Sequence, residues 1–568
     1  MQILTREFAQ EDLLTELQPP ILRRIYAGRG VKSAAELDRS LAGLLPPNTL
    51  PDIDVAAKRL AQAIELGQRI LIVGDFDADG ATAVALCVKV LTDLHATAVE
   101  FLVPNRFEYG YGLSPEIVDL AQGLSPDVIM TVDNGVSSNA GVARANEYGI
   151  DVIVTDHHLA GAELPAALAI VNPNLPNAEF ASKSMAGVGV AYYVLSCVRG
   201  ELRKRQWFVG ERTEPNLAQY LDLVALGTVA DVVPLDANNR ILVHQGVQRM
   251  RAGKCLPGIK ALAEIAKRSL ATLSAQDLGF AIGPRLNAAG RLEDMSIGIK
   301  CLLAEDLATA RHLATALDQL NQTRRQLEQD MVSDAELVLA EDQADSDRVG
   351  LTVYHESFHQ GVVGIVAGRV REKFHKPAIV FADAGDTSPD ELKGSARSID
   401  DLHIRDVLDW IATSHPGLLI KFGGHAMAAG LSIKRVHLQR FGVIFDKAVR
   451  QFTREDMLEA RLVTDGNLDV TELSLDMANT LAQAGPWGSG FPEPLFTGHF
   501  QIVNQRVVGD THLKLVLKVD GRVIDAIAFR QPPLEAGVEQ VYVVYKLSIN
   551  DYGQFPTLQL MVEYIESS

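Results

Sequence analysis

Four cysteines in 568 residues, Cys87, Cys197, Cys255 and Cys301, stand far apart and form no C-x-x-C pair. That excludes a cysteine-built zinc site and a disulfide framework. No run of about 18 uncharged apolar residues occurs, so no membrane-spanning helix is expected. The first residues, MQILTREFAQEDLL, carry charge where a secretory signal needs an apolar core. A reducing, cytoplasmic setting is expected. Positive charge is scarce too: 53 lysines and arginines against 72 acids leave a net charge of −19. This excludes a cation-coated duplex binder but leaves room for a local basic groove. Internal repeats and low-complexity tracts are missing. With 47% hydrophobic and 22% charged residues, the composition is that of a globular protein of two to four domains.

Runs rich in valine and isoleucine, RILIVG (69–74), AVEFLV (98–103), DVIMTV (127–132) and DVIVT (151–155), do not alternate. Strands covered on both faces read this way. Helical patterns at 81–94 and 139–149 lie between them, which predicts a parallel sheet with right-handed crossovers. An N-terminal extension of short helices, 1–50, precedes this 51–298 domain, and a helix over 54–67 leads into the first strand. From Ile299 to Val349 there is no glycine or proline, and leucines recur at helical spacing. One long connecting helix fits, and so do two helices with a turn near Ala304–Asp306. A second, smaller α/β domain spans 350–455, with strands at LTVYHE and PAIVFAD around the helix VGIVAGRVREKF. Over 460–568, β-branched runs at short spacing predict an all-β barrel or sandwich of about five strands.

The most informative signal is where aspartates fall. RILIVG runs into Asp75, Asp77 and Asp79; DVIMTV into Asp133; DVIVT into Asp156, His157 and His158. The carboxyl ends of parallel strands line one crevice, where ligands bind, so these groups are expected to converge. Carboxylates gathered in one cleft repel one another, and bound cations relieve that. Oxygen ligands with imidazole suit Mn²⁺ or Mg²⁺, and a pair of such ions clamps a phosphoryl group undergoing hydrolysis. An EF-hand is excluded, because its twelfth position is Leu86 and a strand precedes the loop. Asp231 ends the helical stretch LAQYLDLVALGTVAD. An acid there opposes the helix dipole, which favours a metal role.

GDFDADG, TVDNG and TDHH, followed by GTVADVVPL, resemble the four ordered motifs of the DHH phosphoesterase superfamily. GGHAMAAG (423–430) resembles the glycine-rich segment of its DHHA1 substrate domain. With RLNAAGR and the C-terminal β region, the chain is similar to the RecJ family of single-strand-specific 5′→3′ exonucleases over residues 50–568. The resemblance implies a parallel-sheet DHH domain joined by a long helix to an α/β DHHA1 domain, with a C-terminal OB-fold. It implies a catalytic set of Asp75, Asp77, Asp79, Asp133, Asp156, His157, His158 and Asp231. Of these, Asp77, Asp79, Asp133, His157 and Asp231 are the implied ligands of two divalent cations, with Asp133 bridging. Some superfamily members carry a histidine ligand near the place of Asp75. No histidine precedes Asp75 here, so the first ion is left with fewer protein ligands or reaches Asp75 through water. Asp156 is expected to orient a histidine and His158 to face the phosphate.

Residues 360–454 hold 14 lysines and arginines against 10 acids, a local excess of positive charge. Ser395 and Arg397 are two apart on an expected strand and so share a face. Gly423, Gly424 and His425 could cradle a phosphate through backbone amides. Arg285, Asn287 and Arg291 are read as polar groups on a turn punctuated by proline and glycine. Arg106 follows the strand 98–103, and the resemblance implies that it binds the 5′-terminal phosphate. Tyr109 and Tyr111 could stack on a base, as could Trp487, Phe491 and Phe496; core packing or an entry loop is the alternative. The implied activity degrades single-stranded DNA to mononucleotides in repair and recombination. The implied chain is a monomer that works with single-strand DNA-binding protein and a RecQ-type helicase.

Overall fold

The computed structural model describes residues 1–7, 14–105, 109, 112–341, 347–385, 388–509, 511–535, 537–551 and 554–567. β1 (Gln2–Thr5) is a short strand. The unalternating runs become β2 (Ile70–Gly74), β3 (Val99–Leu102), β4 (Val128–Val132) and β5 (Asp151–Thr155), joined by a fifth, β6 (Ala169–Val171). Their order is β3-β2-β4-β5-β6, and every pairing is parallel. β2 and β4 are buried along their whole length, which is why valine and isoleucine occupy both faces. On one face Leu71, Ile129 and Val152 share a core with Ile117 and Val142. On the other, the helix Ala78–Asp93 packs against the helices Gly187–Lys204 and Leu221–Ala230. The chain leaves β2 for β3 and then returns to β4 on the other side. The direction of winding therefore switches between β2 and β4, and a crevice opens beyond their carboxyl ends.

Residues 5–318 and 463–568 form one compact unit, and residues 1–4 and 319–462 the other. The second unit contains β7 (Leu351–Tyr354), β8 (Ala378–Asp383), β9 (Glu391–Arg397), β10 (Lys421–Gly424) and β11 (Ala428–Lys434). The sheet order is β10-β11-β9-β8-β7, with β7 and β8 parallel and the rest antiparallel. β12 (Arg461–Thr464) pairs with β1. At the C-terminus, β13 (Phe496–Val508), β14 (His512–Val519), β15 (Arg522–Ala528), β16 (Gln540–Asn550) and β17 (Thr557–Ser567) close a five-stranded barrel. The protein thus has two α/β folds with a helical connection and a C-terminal OB-type barrel. No helix among the described residues is long and apolar enough to cross a membrane.

Of the two arrangements that fit 299–341, the structure has two helices, Ser296–Leu303 and Leu307–Glu341. Asp306 stops the first from running on, because its carboxylate accepts from Thr309 N at 2.9 Å and so caps the second. PRLNAAGR is not a turn but most of the helix Gly283–Leu292. Proline is tolerated in a first helical turn, where its missing N–H bonds nothing. Gly290 is explained by packing, since a Cβ there would lie 1.7 Å from the carbonyl of Phe76. DGNLDV forms no strand beyond a bridge between Asn467 and Thr497, and the helix Leu475–Ala484 follows it.

Trp487, Phe491 and Phe496 are buried, so none is available for stacking on DNA. Trp487 and Phe491 stack at 5.3 Å, and Tyr26 of the N-terminal extension stacks on both at 6.1 Å. Arg29 binds both carboxylate oxygens of Asp465, at 2.8 and 3.0 Å, and lies over the Trp487 ring. The extension therefore clamps the segment leading into the barrel.

Candidate metal centre

Every predicted acid leaves a strand end or a helix terminus. Asp77 caps the helix Ala78–Asp93, its Oδ1 accepting from the amides of Asp79 and Gly80 at 2.9 and 3.0 Å. Asp79 is the second residue of that helix and is fully buried; its two oxygens accept from Gly187 N at 2.6 Å and Val188 N at 2.9 Å. Asp133 follows β4 in the left-handed region, with φ +62°. Gly187 closes over it, for a Cβ there would lie 2.6 Å from the Asp133 Cβ. Asp231 terminates the helix Leu221–Ala230, where its reading as a helix-end acid places it.

These groups meet at His157. Its Nε2 is 3.1 Å from Asp133 Oδ1, 3.5 Å from Asp231 Oδ2 and 4.0 Å from Asp79 Oδ2. Ligand atoms of three sets lie within 4.8 Å of one another: Asp75, Asp77 and Asp133; Asp79, His157 and Asp231; and Asp133, His157 and His158. Asp133 and His157 each belong to two sets, so the three form one continuous cluster. Asp231 Oδ2 is buried without a hydrogen-bond donor, a state that a cation relieves and that no apolar ligand does. Carboxylate oxygens with one or two imidazoles are a donor set for a divalent cation.

Asp156 is engaged differently. Its Oδ1 accepts from the amides of His157 and His158 at 2.7 and 3.1 Å and pairs with His158 Nδ1 at 2.7 Å, while Oδ2 accepts from Val136 N. It fixes the loop and the His158 ring. Asn174 Nδ2 donates to the His157 carbonyl and Asn172 Nδ2 to that of His158. Burial pulls His158 down, but the hydrogen bond and charge of Asp156, with Asp75 and Asp77, leave its pKa raised.

Burial and mutual repulsion set the other pKa values. Asp79 rises to about 7 through burial first and Asp77 second. Asp133 and Asp231 rise well above the ordinary carboxylate range through burial first and repulsion second, Asp79 repelling both most strongly. A metal-free fold keeps these protons after the unfolded chain has lost them. Its stability therefore falls as pH climbs from the ordinary aspartate value of 3.8 through about 7. Cation binding needs the ionised forms and reverses the trend. Thermal melts in chelator are expected to drop between pH 5 and 7.5 by several degrees more than those of Asp79→Asn, each displaced pKa unit being about 1.4 kcal/mol. The upward shift given by Mn²⁺ is expected to grow with pH. A wild-type slope equal to that of Asp79→Asn contradicts the assignment.

The predicted substrate residues fall into three groups. Arg285 is buried and paired with Asp318 at 2.8 Å, and it also donates to the Ala281 carbonyl. Asn287 Oδ1 accepts from Ala78 N at 2.8 Å. Both therefore serve the protein: Arg285 holds its own helix, and Asn287 holds the loop of Asp77 and Asp79. Arg291 lies on the last turn of that helix. In the second unit, Ser395 and Arg397 share one face of β9, with Arg397 Nη1 donating to Ser395 Oγ at 3.0 Å. Gly364 opposes them, since a Cβ there would lie 3.0 Å from Arg397 Nη2. Gly423, Gly424 and His425 lead through a hairpin between β10 and β11, not into a helix. The His425 amide already donates to Ala428 O at 2.8 Å, so it does not contribute to a cradle; the ring of His425 is exposed. Arg106 and Tyr111 lie outside the described residues, while Tyr109 is exposed.

Gly187 and Val188 escape sequence reading because they reach Asp79 from more than a hundred residues away, and their only signal is a glycine opening a helix. Asn287 is read from the sequence as a substrate group, whereas its amide oxygen accepts from Ala78 N and holds the Asp77–Asp79 loop.

A parallel sheet whose strand ends gather acids and histidines into one metal cluster defines a metal-dependent phosphoesterase of the DHH type. Residues 69–228 match the DHH family N-terminal domain, 347–454 the DHHA1 domain and 464–564 the RecJ OB domain. The chain is 51% identical to the single-stranded-DNA-specific exonuclease RecJ of Escherichia coli, over 100% of this chain and 99% of that one. Its identity to the RecJ of Haemophilus influenzae is 49%, over 96% of each. Its fold matches the crystal structure of RecJ in complex with Mn²⁺ from Thermus thermophilus with a TM-score of 0.81 and 29% identity, covering 100% of this chain and 79% of that one. The chain belongs to the RecJ family of single-stranded-DNA-specific exonucleases.

Proposed function

We propose that this chain hydrolyses single-stranded DNA from the 5′ end to mononucleotides, using two divalent cations, Mn²⁺ or Mg²⁺. The observation that carries this reading is the convergence of three strand-end acid motifs and Asp231 on His157. Asp77, Asp79, Asp133, His157 and Asp231 would hold the ions, with Asp133, common to two sets, shared between them and Asp75 in the same set as Asp77 and Asp133. When bound, the ions supply Lewis acidity toward the phosphoryl oxygens and a more acidic water. Asp156 holds the Nδ1 proton of His158, leaving Nε2 to carry a proton toward a phosphate oxygen. The helix terminus at Gly187–Val188 holds Asp79 in one rotamer, so the ligand geometry is set before substrate arrives.

The domain boundaries of this reading are 51–298, 299–349, 350–455 and 460–568. The working context is the cytoplasm, in DNA repair and recombination, as a monomer with single-strand DNA-binding protein and a RecQ-type helicase. Substrate contacts fall to Arg106, Arg291, Ser395, Arg397 and the Gly423–His425 hairpin. Burial and the nearby Arg371 lower the pKa of Arg397, and among the described residues no carboxylate pairs with it. A half-buried guanidinium of that kind is suited to a phosphate.

Arg397→Ala is expected to weaken single-strand binding by about 1.5–3 kcal/mol and to lower the log–log salt slope by about 0.7. Mn²⁺ affinity, measured by calorimetry without DNA, should not move. Lost metal binding, or unchanged DNA affinity and slope, places Arg397 in structural support. Polarity is tested with single strands labelled at either end. A 5′ label should appear first in mononucleotides and a 3′ label last; the reverse order overturns the reading.

A further inference from the structure

Among the described residues, two exposed large apolar side chains lie on or beside the helix end of Asp231. Val232 directly follows Asp231, is 67% exposed and has φ +62°. A β-branched residue adopts that conformation only under strain, and such strain gathers at functional sites. Phe280 is 79% exposed on a single π-turn, Leu278–Ile282, an irregularity frequent at functional sites. The turn is seated beside the cluster. A Cβ at Gly279 would lie 3.3 Å from Val229 Cγ1, and one at Gly283 would lie 3.1 Å from the Ala230 Cβ. Those two residues immediately precede Asp231. The next helix bears Asn287, which holds the Asp77–Asp79 loop through Ala78 N. Phe280 is thus tied on one side to the helix end of Asp231 and on the other to the loop of Asp77 and Asp79.

A lone exposed phenylalanine needs no explanation. Here, however, a strained valine and a π-turn phenylalanine both adjoin metal-ligand elements. We propose that Phe280 stacks on a nucleobase of the strand beside the scissile phosphate; this rests on the single-strand reading above. Every base has a π face, so such a contact tolerates any sequence. A base inside a duplex offers its faces only to its stacked neighbours, so the contact favours an unpaired end.

The experiment measures KM and kcat for the wild type, Phe280→Ala and Phe280→Trp. The substrates are an intact 5′-phosphorylated single strand and a set with one abasic site at each of the first five positions. Phe280→Ala should raise KM on the intact strand by roughly tenfold or more, the range of one base stacked on an aromatic ring. Phe280→Trp should restore it. On one abasic strand the wild type should bind as weakly as Phe280→Ala, and the two should become equal. Calorimetry should give the same Mn²⁺ affinity for all three proteins. An unchanged KM, a defect equal on every abasic strand, or lost Mn²⁺ affinity overturns the proposal. If the wild type degrades single strands and Phe280→Ala matches it, stacking alone fails. If the wild type does not degrade them, the exonuclease reading fails and the stacking proposal with it.

Discussion

Asp133→Asn is expected to lower hydrolysis of single-stranded DNA by roughly a thousandfold or more, about 4 kcal/mol of barrier. Asp133 is the carboxylate common to two ligand sets, and its Oδ1 stands 3.1 Å from His157 Nε2. The amide keeps its shape and volume and tolerates the left-handed backbone at this position. It cannot supply the negative charge that a bridging ligand needs. The fold should survive. Asp133 is repelled by Asp79, Asp77, Asp75 and Asp231, so a neutral side chain relieves that repulsion, and the melting temperature in chelator should hold or rise. The check is single-turnover kinetics with saturating Mn²⁺ beside thermal melts of the same preparations. A rate within tenfold of the wild type excludes Asp133 as the bridge.

Trp487→Ala is expected to remove about 3–5 kcal/mol of stability while leaving the chemistry intact. The indole is buried and stacked on Phe491 and Tyr26, and its Nε1 donates to the Leu481 carbonyl at 2.9 Å. The Arg29 guanidinium lies 5.2 Å from the ring centroid. None of these groups is a metal ligand. Urea unfolding should show the loss, and kcat on a short oligonucleotide at low temperature should stay near the wild-type value. Were Trp487 a stacking platform for DNA, the outcome would be reversed: stability unchanged and DNA affinity reduced.

The sheet and the acids are legible in the sequence because both are written locally. Parallel strands need unbroken apolar runs, and an aspartate after each run has one place to go, the carboxyl edge. Asp231 was legible for the same reason, standing at the end of a helical stretch. What was not legible depends on distant partners. Gly187 and Val188 donate to Asp79, but nothing in GVGVAYYV marks those amides as ligands of an acid 108 positions earlier. Pro284 and Gly290 are the residues by which turns are recognised. Here Pro284 sits in a first helical turn, and Gly290 makes room for the Phe76 carbonyl. Trp487 follows Gly485-Pro486 and Phe491 follows Gly490 in an apparent loop, and only the N-terminal extension folding onto them shows that they are core.

The central claim is that Asp133 joins two cations in one centre. Electron paramagnetic resonance during Mn²⁺ titration of the full chain tests it most directly. The account predicts two ions per chain, and an exchange-coupled spectrum that replaces the isolated six-line signal as the second ion binds. Asp133→Asn should keep the isolated signal. A wild type that saturates with one ion, or with two uncoupled ions, contradicts the account.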